Sequence, residues 1–241
     1  MHFASQAGAS VRLEWGAAAV GHLAADVDCL VVVDVMLFST CVDVATARGA
    51  HVYPYPWRDA SALGYACERG AEVASTERRL AEGWSLSPTS LAGVPAGLKL
   101  VLPSPNGSAI AIQARDQGVA VFCGSLRNRR ATARACAAFE RVLVVACGER
   151  WPDGSLRPAL EDLVGVGGIV AALGRPDASA EARAAALLYD ALGDGRRAAL
   201  ADCASARELV ERGFGDDVTL CLDEDASGAA ARLVGECFVA A

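Results

Sequence analysis

Apolar residues along the chain come in short, dense runs, each closed by a small or polar residue. Cys29-Leu-Val-Val-Val33 ends at Asp34, Leu98 to Leu102 ends at Pro103, Val119 to Cys123 ends at Gly124, and Val142 to Cys147 ends at Gly148. Val-rich runs this short read as buried strands. Val11 to Trp15, His51 to Tyr55 and Ala71 to Thr76 are further strand candidates. Helical stretches lie between them: Ala17 to Leu23, Thr40 to Arg48 stopped by Gly49, a helix capped by Asp59 and ended by Gly70, Ser108 to Asp116, Asn128 to Phe139, and Glu161 to Leu173. The C-terminal third reads as mostly helical, with Asp217 to Leu222 as a last strand. Alternating strands and helices predict an α/β protein with a largely parallel sheet covered on both faces.

Two stretches lack a period. Residues 77–97 carry Ser85, Ser87, Pro88, Thr89 and Ser90, and Gly148 to Ala159 follows the most apolar strand. Loops of such length in a compact domain are more often functional than accidental. With 241 residues the chain is long enough for one large domain or two small ones. A single domain over 1–241 is expected. The strand–turn–helix units near 29–55 and 98–123 are weak look-alikes, which leaves an internal duplication open.

The net charge of −7 argues against a general nucleic-acid or anionic-membrane partner. A small anionic substrate needs local Arg, backbone N–H groups or a cation to reverse the field. The nine cysteines are odd in number and scattered, with no C-x-x-C pair, so a zinc site and a disulfide framework are not expected. They read as small buried hydrophobes in a reducing compartment. Met1 to Arg12 does not resemble a secretory signal, and the apolar run near the N-terminus is broken by Asp26, Asp28 and Asp34. A soluble cytoplasmic protein with no membrane partner is expected, and a homodimer is left open.

The candidate chemistry lies where strands end. Asp34 is placed equally well to cap a turn or to meet a metal or substrate. Ser39 and Thr40 read first as helix caps and second as a phosphate cradle. Asn106, Gly107 and Ser108 follow Pro103-Ser104-Pro105, and Gly107 permits a positive φ or close approach of a ligand. Gly124, Ser125 and Asn128 make a third strand end, and three on one sheet edge would define one pocket. Glu161 and Asp162 suit a helix N-terminus through its dipole, and equally suit Mg²⁺. Most of Arg78, Arg79, Arg127, Arg129, Arg130 and Arg150 read as solvated surface, with one or two available to grip an anion. His2, His22 and His51 lie away from these motifs, which disfavours His-based phosphotransfer and a Ser–His–Asp triad.

Taken in order, Val-Val-Val-Asp34-Val-Met-Leu-Phe-Ser39-Thr40, Ser87-Pro88, Pro105-Asn106-Gly107-Ser108, Gly124-Ser125-Leu-Arg-Asn128, Ala146-Cys147-Gly148 and Glu161-Asp162 resemble the 2-phosphosulfolactate phosphatases, from about residue 28 to about residue 225. The resemblance implies a three-layer α/β/α fold with a largely parallel or mixed sheet, and a Mg²⁺-dependent phosphatase acting on a small phosphorylated acid on a route to coenzyme M. It implies that Asp34 and Asp162 are catalytic and that Asp34 with Glu161 or Asp162 holds Mg²⁺. Ser39, Thr40, Asn106, Gly107, Ser108 and Ser125 would then cradle phosphate, and Asn128 would orient substrate. Three residues depart from the family pattern. Leu37 stands where an arginine is expected, and Ser85-Leu86 where Gly-Asn is expected. One lost charge-assisted contact is worth about 1.5–3 kcal/mol, enough to change substrate or weaken binding. A family member that binds an anionic metabolite without turnover is the alternative.

Overall fold

The computed structural model describes residues 2–75, 77 and 83–241. Its first half runs β1 (Val11–Trp15), α1 (Gly16–Leu23), β2 (Cys29–Val33), α2 (Phe38–Ala47), β3 (His51–Tyr55), α3 (Ser61–Arg69), β4 (Glu72–Val73), α4 (Pro88–Leu91), β5 (Lys99–Pro103), α5 (Gly107–Asp116) and β6 (Ala120–Gly124). The second half runs α6 (Arg129–Cys136), β7 (Val142–Ala146), β8 (Glu149–Arg150), β9 (Leu156–Arg157), α7 (Leu160–Leu173), α8 (Ala180–Leu192), α9 (Arg196–Ala201), α10 (Ala204–Glu211), α11 (Gly215–Cys221), β10 (Ala231–Val234) and β11 (Cys237–Ala240).

Nine strands form one sheet in the order β1-β7-β2-β6-β10-β11-β3-β5-β4. All pairings are parallel except those of the β10–β11 hairpin, which is antiparallel within itself and to its neighbours β6 and β3. The central register positions the site. Val33 lies level with Gly124 of β6 and with Ala146 of β7, so β2, β6 and β7 end together at one edge. Tyr55 and Pro103 end level in the same way.

The central strands are apolar because both faces are covered. Every residue of β2 and β7 is buried, and each fully buried Val or Leu contributes about 1.5–3 kcal/mol. A Cβ on Gly124 would meet Ile169 of α7 and Thr132 of α6, whereas the adjacent Cys123 donates its thiol to Ser39 of α2. Successive residues of a strand point to opposite faces. Helices α6 and α7 therefore cover one face and α2 the other, giving three α/β/α layers. Helix α2 is enclosed on all sides, with every residue from Phe38 to Thr46 buried.

Several expectations change. Asp217 to Leu222 is not a strand; most of it lies in α11, where Asp217 accepts hydrogen bonds from the Ser87 hydroxyl (2.6 Å) and the Thr89 N–H (3.1 Å). The last strands are instead β10 and β11. The strand expected over Ala71 to Thr76 shortens to Glu72–Val73, and Thr76 falls outside the described residues, as do Arg78 and Arg79. Within the 77–97 stretch, Ser87 caps the short helix α4, and Gly148 to Ala159 contains the β8–β9 hairpin. The cysteines are free thiols, all buried but Cys67 and Cys237. Among the described residues no helix is long and apolar enough to cross a membrane.

Candidate functional site

The turn after β2 is held by its own polar groups. The Asp34 N–H donates to the Ser39 hydroxyl (2.9 Å), which donates to the Val32 carbonyl (3.2 Å). The Thr40 hydroxyl donates to the Val35 carbonyl (2.9 Å). Ser39 and Thr40 thus lie inside the first turn of α2 rather than ahead of it, fully buried, with their hydroxyls bonded to backbone. Asp34 differs. One carboxylate oxygen accepts the Phe38 N–H (3.2 Å), and the residue faces a cavity.

The turn after β5 meets it from the other side. A Cβ on Gly107 would lie 2.2 Å from the Phe38 ring, so this glycine serves close packing of the two helix starts. The Gly107 N–H is also directed at Asp34. The positive ends of α2 and α5 therefore converge on one carboxylate, a setting that favours negative charge. Ser108 is fully buried and donates to the Leu102 carbonyl (3.1 Å). Asn106 stays at the cavity wall, where its side chain accepts from Arg150 Nε (3.3 Å) and donates to the Gly148 carbonyl (3.4 Å).

Asp162 and Glu161 sit behind this arrangement. The two carboxylate oxygens of Asp162 accept the Val35 and Gly148 N–H groups, each at 2.8 Å, and so tie the end of β2 to the end of β7. Glu161 is buried and accepts the Cys203 thiol (3.3 Å). Neither residue lines the cavity. The third strand end is closed on itself. The Ser125 N–H (2.8 Å) and hydroxyl (3.4 Å) donate to Asn128 Oδ1, and Asn128 Nδ2 donates to the Cys123 carbonyl (3.2 Å). Both side chains are fully buried. Their neighbours Arg127, Arg129 and Arg130 are ion-paired with Asp43 or Asp225.

The cavity measures about 150 Å³. Its polar wall carries Asp34, Ser104, Asn106 and Glu149; Met36, Leu37, Phe38 and Leu86 form an apolar wall; Arg58 and residues of α10 and the turn after it (Ser205, Glu208, Leu209, Arg212) complete it. Leu37 and Leu86, two of the three departures from the family pattern, therefore both face the cavity. Burial pushes the Asp34 carboxyl up to about 6, opposed by the Phe38 N–H and helped by the charge of Glu161. Burial, with the charges of Asp34 and Glu161, pushes Glu149 up to about 7. Burial and the same two neighbours push Asp162 well above the usual carboxylate range, against its two N–H donors.

Glu149, Arg58, Ser205, Glu208 and Arg212 carried no expectation from sequence. Glu149 follows Gly148 at the end of β7, and Arg58 follows the end of β3, so strand ends could have pointed to both. Helix α10 offers no such signal.

Of the expected Mg²⁺ donors, Asp34 lines the cavity and Glu161 and Asp162 do not. Among the described residues no group of three or more His, Cys, Asp or Glu is arranged to hold an ion. Asp162 has both oxygens on backbone N–H groups. Asp34 and Glu149 are hard carboxylates facing one cavity, and the charge of Asp34 helps raise the Glu149 carboxyl. Mg²⁺ binds through one or two carboxylates with water and phosphate oxygens completing its shell, so this pair fits it.

The sequence profile of the family described as 2-phosphosulpholactate phosphatase matches residues 19–235. A protein named probable 2-phosphosulfolactate phosphatase, from Thermotoga petrophila, is 27% identical over 144 residues, covering 60% of this chain and 60% of that relative.

Proposed function

The chain belongs to the 2-phosphosulpholactate phosphatase family, and on that premise we propose that it is a Mg²⁺-dependent phosphatase releasing phosphate from a small phosphorylated hydroxy acid in the cytoplasm. One observation carries the reading: two carboxylates, the buried Asp34 and the half-buried Glu149, face a single cavity beneath the N-terminal ends of α2 and α5. Asp34 and Glu149 would hold Mg²⁺, which when bound supplies neutralisation of phosphoryl charge. The helix ends and Asn106 orient the phosphoryl oxygens. Met36, Leu37, Phe38 and Leu86 exclude bulk water from the apolar side. Asp162 is buried against the Val35 and Gly148 N–H groups and sets the spacing of the two carboxylate-bearing turns. In this reading Asp162 is a positioning residue rather than a metal ligand.

The apolar wall at Leu37 and Leu86 favours a second reading, a site that binds an anionic metabolite without turnover. Phosphate release from 2-phospholactate, followed with Mg²⁺ and then with EDTA, separates the two. Release that stops with EDTA and resumes with added Mg²⁺ is the expected result. Binding of 2-phospholactate with no release from it or from other small phosphoesters overturns the enzymatic reading in favour of the second.

A further inference from the structure

The guanidinium groups around the cavity are nearly all engaged. Arg150 donates to Asn106 Oδ1 (3.3 Å) and the Gly154 carbonyl (2.9 Å), Arg157 donates to the Ser205 hydroxyl (3.2 Å), and Arg212 pairs with Glu208 (2.9 Å). Arg58 is the exception. It lines the same cavity as Asp34 and Leu37, is exposed, and has no hydrogen-bond or ion-pair partner among the described residues. The cavity is thus asymmetric: the buried Asp34 lies on one side, and on the exposed side Glu208 and Arg212 pair with each other while Arg58 holds no hydrogen bond and acts on Asp34 through its charge alone. The wall between them, Leu37 and Leu86, offers no charge.

We propose that Arg58 is the specificity-determining residue of this site: it grips a second acidic group of the substrate, a carboxylate or sulfonate, while the phosphoryl group sits on the Asp34 side. The inference rests on the phosphatase reading above and deepens it. It selects phosphomonoesters that carry a further anionic group over those that carry phosphate alone. A planar guanidinium suits this task because it meets a carboxylate or sulfonate through two parallel N–H donors. Arg58 follows β3, so its grip is supplied by a different strand end from the one that carries Asp34.

The test compares wild type, Arg58→Ala and Arg58→Lys on 2-phospholactate, which has a carboxylate, and on ethyl phosphate, which has none. Arg58→Ala is expected to lower kcat/KM for 2-phospholactate by about 10- to 100-fold, chiefly through KM. The rate on ethyl phosphate stays within about 3-fold, and Arg58→Lys recovers part of the loss. Equal losses on both substrates would assign Arg58 to the phosphoryl group, and no loss on either would leave it outside the binding site; either result overturns the proposal. If wild type turns over neither ester, the phosphatase reading fails by itself. Arg58 is then judged by the calorimetric Kd of 2-phospholactate, which weakens by a similar factor in Arg58→Ala if the proposal holds and is unchanged if it does not.

Discussion

The turns after β2 and β6 end neighbouring strands at the same level and lead into helices through small polar residues, yet they are opposite in kind. After β6, Ser125 and Asn128 bond to one another and to the Cys123 carbonyl, and neither lines the cavity. After β2, Ser39 and Thr40 do the equivalent work for the backbone, but Asp34 keeps acceptor capacity and faces a cavity. A polar residue at a strand end marks a ligand site only when its hydrogen bonds are not already used to hold the turn. Burial separates the two turns further. Asn128 carries no charge to desolvate, whereas burial disfavours the charged form of Asp34 and pushes its carboxyl up to about 6, against the Phe38 N–H and the charge of Arg58.

The sharpest way to break this comparison is Asp34→Asn. It keeps the acceptor for the Phe38 N–H and removes the charge. Initial-rate measurements should show at least a 100-fold loss of phosphate release, on the order of what one electrostatic group at a transition state supplies, with the fold intact. Asp162→Ala tests the tie between the strand ends. It leaves the Val35 and Gly148 N–H groups buried without acceptors, at a cost of about 1–3 kcal/mol each. Denaturant unfolding should show that loss, and kcat should fall in the folded fraction. Asn128→Ala should behave as the mirror image of Asp34→Asn: a stability loss of about 1–3 kcal/mol from the unpaired Ser125 N–H and Cys123 carbonyl, with kcat/KM within a few fold of wild type.

Much of the fold is legible in the chain because the central strands are unmixed. Cys29–Val33 and Val142–Ala146 are apolar on both faces, and only a strand between two layers needs that. The hairpin β10–β11 is not legible, because its residues alternate between buried and exposed and its neighbours lie far away in sequence, at Cys123 and Val52. Asp217 to Leu222 misleads because its Val, Thr and Leu suit a strand, while its place is fixed by contacts of Asp217 with Ser87 and Thr89. In the site, Asp34 and Asn106 stand out as strand-end residues. Which hydroxyls face inward, which carboxylate oxygens are engaged by N–H groups, and the arrival of α10 at the cavity follow only from packing.

The smallest predicted effect is on pH dependence. Asp34 rises from 3.8 to about 6 and Glu149 from 4.5 to about 7, so the folded protein binds protons more readily than the unfolded chain. Their contribution to stability is fully present below pH about 4 and is lost as pH rises through 6 to 7. Melting of the metal-free protein should therefore fall in temperature between pH 5 and 8 through these groups. The same loss should be shallower in Asp34→Asn, and an identical slope in both proteins would place the titration elsewhere.

The central claim is that the carboxylates of the open turn, and not the closed turn beside it, form the cation and phosphate site. A calorimetric titration of Mg²⁺ into the protein at pH 8, with inorganic phosphate present, tests this most directly. Saturable binding in wild type, retained in Asn128→Ala and abolished in Asp34→Asn, is the predicted result. Binding that survives unchanged in Asp34→Asn, or that is lost in folded Asn128→Ala, would contradict it.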